Sequence, residues 1–150
     1  MNGVLRVQAV LLFAIITSGC VNTQLAGDVD PSVDINGYET FYVARNPDDK
    51  RELEKIIAAE ITALGKTATS GTEPTAPDGT DVLVMYDSKW MWDITMYLLE
   101  LNLEFRDPAT NYKFASGRSY RTSLARQSPE FMTREILGEI YGIVIPEDGE

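Results

Sequence analysis

The chain has 150 residues, enough for one domain with its own core, and its apolar (44%) and charged (24%) fractions are those of a folded protein rather than a disordered one. It carries a net charge of −10, which repels phosphate backbones, so no nucleic acid partner is expected, nor docking on anionic lipid by charge alone. It contains no histidine and a single cysteine, which excludes Ser-His-Asp and Cys-His catalysis, histidine-ligated metals and a disulfide framework.

Residues 1–19 read as an export leader. Arg6 precedes the apolar run Val10–Ile16, which is too short to span a bilayer, and small residues Thr17, Ser18 and Gly19 lead to Cys20. This arrangement resembles the lipobox of bacterial lipoproteins, with Thr17 where leucine is usual. The resemblance implies that Cys20 carries diacylglycerol, that cleavage precedes it and that the new amine is acylated. The competing reading is an ordinary secretory leader with an incidental cysteine. Val21 lacks the aspartate that marks inner-membrane retention, so the resemblance implies the outer membrane, periplasmic face. The partner there is the membrane itself, through the N-terminal lipid.

Residues 20–37 are polar, with Pro31 and two glycines, and read as a lipidated flexible tether. Tyr38–Arg45 is rich in aromatic and β-branched residues, and is expected as the first strand. Asn46 and Pro47 are the expected N-cap and first residue of a helix running to Leu64, with Gly65 beyond it. Leu53, Ile56, Ile57, Ile61 and Leu64 form its apolar stripe, and Lys50, Arg51, Glu54 and Lys55 face outward. Residues 66–79 read as a surface loop with room for a short edge strand at 66–70.

Thr80–Arg106 is the centre of the chain. Val82–Tyr86 is a continuous apolar run, expected as a central strand covered on both faces and parallel to the first. From Met96 strict alternation sets Tyr97, Leu99, Leu101, Leu103 and Phe105 on one face and Glu100, Asn102, Glu104 and Arg106 on the other. Asp107–Asn111 reads as a hairpin turn, and Tyr112–Ser123 as a further strand with a bulge at Gly117. Ser128, Pro129 and Glu130 open a second helix with a core stripe at Phe131, Ile136, Leu137 and Ile140, ended by Gly142. Residues 143–145 can dock on the body, and 146–150 form a loose acidic tail. The fold class expected is α+β: a two-layer sandwich of a mixed, mostly antiparallel sheet with two helices on one face, in a single domain over 38–145.

Trp90-Met91-Trp92-Asp93 is the most distinctive cluster. Trp90 and Trp92 share a face at strand spacing. Large aromatics mostly pack, so the expectation is core, with Asp93 capping a turn. The alternative is an aromatic patch in which Trp90, Trp92 and Asp93 contact a partner or ligand. Asp87 and Asp93, which flank the tryptophans, and Glu100 and Glu104, which share a strand face, leave glycosidase-like carboxylate chemistry open, a weak signal in so acidic a chain. Glu100, Asn102, Glu104, Lys113 and Arg118 suggest a solvated ladder on the open sheet face.

Asp81, Val82, Tyr86, Trp90, Trp92, Asp93, Tyr97, Leu98 and Tyr120, behind a lipobox leader, resemble a group of small Gram-negative lipoproteins of unknown function. The likeness runs from Tyr38 to Tyr141 and implies neither an activity nor catalytic residues. The layout is also similar to the compact α/β domains of envelope-assembly lipoproteins, at the level of fold alone. The leading reading is therefore a non-enzymatic, lipid-anchored accessory protein with an envelope protein partner and no cofactor or metal. A lipid- or small-ligand-binding module and a carboxylate hydrolase acting on glycan are the alternatives.

Overall fold

The computed structural model describes residues 22–146. Cys20, the leader and residues 147–150 lie outside them. Six strands form one mixed sheet: β1 (Thr23–Val29), β2 (Thr40–Ala44), β3 (Thr67–Gly71), β4 (Val82–Asp93), β5 (Thr95–Arg106) and β6 (Lys113–Arg121), in the spatial order β1-β6-β5-β4-β2-β3. The helices α1 (Leu53–Ala63) and α2 (Pro129–Tyr141) pack on one face. β2 pairs in parallel with β3 and β4, and the other pairs are antiparallel. The α+β two-layer sandwich expected from the sequence is the observed fold.

The core lies between helices and sheet. Phe41, Val43, Val82, Val84, Leu101, Leu103 and Phe105 from the strands meet Leu53, Ile57 and Ile61 of α1 and Met132, Ile136 and Leu137 of α2. Behind the sheet, residues 72–79 fold over Tyr42, Ala44 and Leu83, and the Tyr42 hydroxyl donates to the Glu73 carbonyl at 3.0 Å. Double coverage of β4 therefore holds at Leu83, but it stops before Met85, which is exposed.

The expected tether is corrected. Residues 23–29 are a full strand, β1, paired antiparallel with β6 from Thr23↔Arg121 to Val29↔Ala115. The domain thus starts at Thr23 rather than at 38. Gly27 and Gly117 face each other in this pair, and both are glycines because α2 crosses them closely. A Cβ on Gly27 would lie 2.7 Å from that of Glu139, and one on Gly117 would collide with Ile136. Gly117 marks this close approach, not the expected bulge.

α1 begins later than expected. Asn46–Asp49 form a turn, closed by the Asp49 amide on the Asn46 carbonyl at 2.9 Å. Asp49 then caps the helix, accepting from the amides of Arg51 and Leu53, both at 2.7 Å. Glu54, expected outward, is buried, 3.9 Å from Arg45 and 3.4 Å from the Tyr86 hydroxyl. α2 follows expectation: the Ser128 side chain accepts from the Phe131 amide at 3.1 Å, Pro129 leads, and Gly142 ends the helix with φ at 68°. Beyond it the Ile143 amide donates to Gly138 at 2.8 Å, while Val144 stays exposed.

Asp107 holds the β5–β6 turn by accepting from the amides of Ala109 and Thr110. Asp81 ties β4 to the start of β2, accepting from the amides of Glu39 and Thr40 at 3.0 and 2.8 Å. Those bonds hold its carboxyl below the usual range.

Candidate functional site

The feature that the rest of the fold does not explain is the outer half of the β4–β5 hairpin. β2 pairs with β4 only over Val82–Val84, and β6 pairs with β5 only from Glu100 onward. Residues 90–98 therefore form a two-stranded arm projecting past the sheet. Such a ribbon has little stability of its own. The body holds it near its root through Arg51 and near its tip through Arg126. Trp90 packs against the core with the Arg51 guanidinium 4.3 Å over its ring. Arg126 donates to Thr95 Oγ1 at 2.7 Å, sits 3.9 Å from the Asp93 carboxylate, and lies over the Tyr97 ring.

A register shift at Lys89/Trp90 pairs Trp90 with Leu98 and leaves Leu99 as the extra residue of a bulge. The expected alternation of β5 breaks there. Leu98 turns into the core with Leu101, while Tyr97, expected on that same face, pairs with exposed Met91 instead.

The two tryptophans separate. They share a face, as their spacing predicts, but the helix layer ends beneath Trp90. Trp92 is 70% exposed, so the core reading fails for it and holds in part for Trp90. Around Trp92 lie exposed Met91, Ile94 and Met96, with Met96 directly across from it. Exposed Leu124, in the 3-10 turn Ser123–Ala125 just before Arg126, adds to this end. Asp93 does not cap a turn by a hydrogen bond; it pairs with Arg126. At the tip Ile94 has φ at 59°, a left-handed conformation in which a β-branched residue is strained. The sequence marked Trp90, Trp92 and Asp93; it missed Met91, Ile94, Met96, Leu124 and the two arginines, for which no local pattern exists.

The second candidate surface is the open face of the sheet. Asp87, Asn102, Glu104, Lys113, Ser116 and Arg118 line a shallow depression of about 430 Å³ there. The expected ladder is present: Arg118 donates to Glu100 at 2.8 Å and to Gln24 at 2.8 Å, and Glu104 pairs with Arg106 and Lys113. Arg118 holds the Glu100 carboxyl low. At Glu104 partial burial pushes the other way, but Arg106 and Lys113 outweigh it and its carboxyl is also held low. A glycosidase acid needs a raised value, so neither suits that role.

A buried polar knot lies below the arm. The Tyr86 hydroxyl donates to Asp49 at 2.7 Å, with Glu54 beside it. Burial, then the bond to Asp49, pushes Tyr86 far above the usual tyrosine range. Asp49 is spent on the helix cap, so the knot fixes α1 to β4. Among the described residues no group of histidine, cysteine, aspartate or glutamate is gathered to hold a metal ion, and no helix is long and apolar enough to cross a membrane.

No family model matches the chain, and no curated protein matches it. Solved structures do. The PelC dodecamer from Paraburkholderia phytofirmans superimposes with a TM-score of 0.58 at 14% identity, covering 79% of this chain and 98% of that one. A point variant of the same PelC gives 0.56, also at 14% identity, over 79% and 96%. TolB from Acinetobacter baumannii gives 0.44 at 14% identity, over 81% of this chain and 31% of that one. At such identity the likeness to PelC is one of fold: this chain has the fold of a PelC subunit over most of its length.

Proposed function

We propose that the protein is a lipid-anchored accessory protein of the bacterial envelope. Cys20 carries the lipid, the domain sits at the periplasmic face of the outer membrane, and it works by contact with an envelope protein rather than by catalysis. The observation that carries this reading is the uncovered sheet face. It presents a broad, shallow, mixed-charge surface whose glutamates are neutralised by neighbouring arginines and a lysine. That chemistry suits a polar protein surface, with Glu100 and Glu104 held ionised by their basic neighbours. The resemblance to small lipoproteins on Asp81, Tyr86, Trp90, Trp92 and Asp93 points the same way. PelC, which shares the fold, is a dodecamer, so a second copy of this chain is one candidate partner.

A photo-crosslinker at Asn102 in intact cells tests the contact. Adducts with one envelope protein, or with a second copy, are expected; no adduct at Asn102 or at Lys113 refutes the sheet face as the working surface. Replacing Cys20 by alanine tests the anchor, since the protein should leave the membrane fraction for the periplasm.

A further inference from the structure

The lipid anchor and the apolar arm emerge from the same end of the molecule. In the sheet register Gln24 stands opposite Tyr120, and Tyr120 opposite Glu100. The chain therefore enters β1 at Thr23 on the edge from which β4 and β5 run on to Ile94. We propose that the tip of the arm, Met91, Trp92, Ile94 and Met96, inserts into the headgroup region of the membrane that holds Cys20. This inference rests on the anchor reading above.

Lengths support it. Three residue steps lead from Cys20 to Thr23, and an extended chain covers at most about 10–11 Å in that span. From the level of Thr23 to Ile94 the arm runs on for roughly five residues, about 17 Å at strand rise. With the sheet upright, the tip therefore reaches at least about 6 Å past the cysteine however far that short span extends, enough to enter the 5–10 Å depth at which interfacial groups sit. The chemistry fits as well. Tryptophan favours the boundary of headgroup and acyl chain, where its ring is in apolar surroundings and its N–H is wet. The chain's net charge is −10, yet residues 88–99 hold one lysine and one aspartate, and the neighbouring 121–128 hold no acid and one exposed arginine, Arg126, since Arg121 is buried against Glu135. The acidic charge lies elsewhere, and this end does not repel an anionic surface. Finally, Ile94 is 85% exposed in a strained conformation that glycine or asparagine would adopt more readily. Neither packing nor backbone preference selects isoleucine at that position; contact with an apolar phase does.

The test uses the lipidated protein with Trp90→Phe, which leaves Trp92 as its sole tryptophan. It is reconstituted in vesicles of phosphatidylethanolamine with a minor share of phosphatidylglycerol, with and without brominated acyl chains. We expect Trp92 emission to shift to shorter wavelength, to lose most of its intensity to the brominated chains, and to resist quenching by iodide. The companion Trp92→Phe protein, reporting Trp90, should show no bromine quenching. Trp92 emission that is open to iodide and blind to bromine, in protein that still floats with the vesicles, overturns the insertion and leaves the anchor standing. Emission shielded from iodide yet blind to bromine also overturns it, with a second copy covering the tip. Protein that does not float overturns the anchor reading, and the insertion with it.

Discussion

Replacing Ile94 by asparagine should make the protein more stable. The native residue sits at φ 59° with a β-branched side chain. A left-handed conformation costs an ordinary residue about 1–2 kcal/mol, and asparagine relieves much of this because it hydrogen-bonds locally in that region. The side chain gives little back. Full burial of an isoleucine is worth about 1.5–3 kcal/mol. At 85% exposure only a small part of that is realised here. The balance is a gain of about 1 kcal/mol, which for a domain of this size raises the thermal midpoint by about 3–5 °C. Urea unfolding at neutral pH, followed by far-UV circular dichroism, reads the change as a higher midpoint at constant slope. An unchanged or lower midpoint refutes the reasoning, because the strain would then be absent or Ile94 would be packed. The same variant should lose part of its vesicle contact, so stability and membrane contact should move in opposite directions.

The two tryptophans should differ in the same assay: Trp92→Ala should stay within about 0.5 kcal/mol of the parent, while Trp90→Ala, losing its contacts with the core and Arg51, should cost about 2 kcal/mol. The buried pair of Arg121 and Glu135, 2.5 Å apart, is joined by the Ser119 hydroxyl. Arg121→Leu should cost about 3–5 kcal/mol in urea unfolding, and adding Glu135→Leu should recover much of it, because the loss comes from a stranded charge. Gly117→Ala should cost about 1–3 kcal/mol by pushing Ile136 away from the sheet, seen as a lower midpoint. In acid, hydrogen bonds from Ser32 and Tyr112 hold Asp30 down at about 2, and Asp81, Glu100 and Asp107 are also held low. A depressed folded value gives stability that is present above the unfolded value near 4 and lost as pH falls towards 2. Midpoints measured from pH 5 down to 2 should therefore decline, and Asp81→Asn should flatten part of that slope.

Elements with local signals were legible in the chain. Ser128-Pro129-Glu130 states a helix start by itself, and the alternation of Leu101, Leu103 and Phe105 states a strand with one dry face. β1 carried no such signal. Thr23–Val29 holds a glycine, shows no apolar alternation and is exposed from Thr23 to Asp28, with only Val29 reaching the core, because it is an edge strand. Its partner β6 lies near the other end of the chain, and no local window contains both. The start of α1 misled for a different reason: Asn46-Pro47 is a good opening, but Asn46 is committed elsewhere, donating to the Tyr86 carbonyl at 3.1 Å. At the candidate site, spacing put Trp90 and Trp92 on one face and could not divide them. What divides them is where the helix layer stops, and the bulge at Leu99 that turns the arm is equally silent in the sequence.

If the chain is exported as proposed, the pairing of β1 with β6 also sets an order of events. On the anchor reading the chain would cross the inner membrane amino end first, so Thr23 would arrive long before Arg121. Until Lys113–Arg121 has emerged, Thr23–Val29 has no strand to join. The enzymes that would acylate and cleave at Cys20 need just such an unpaired substrate. Once β6 arrives, β1 closes onto the sheet. A variant in which β1 paired early would be a poorer substrate for lipid attachment, however stable its finished fold.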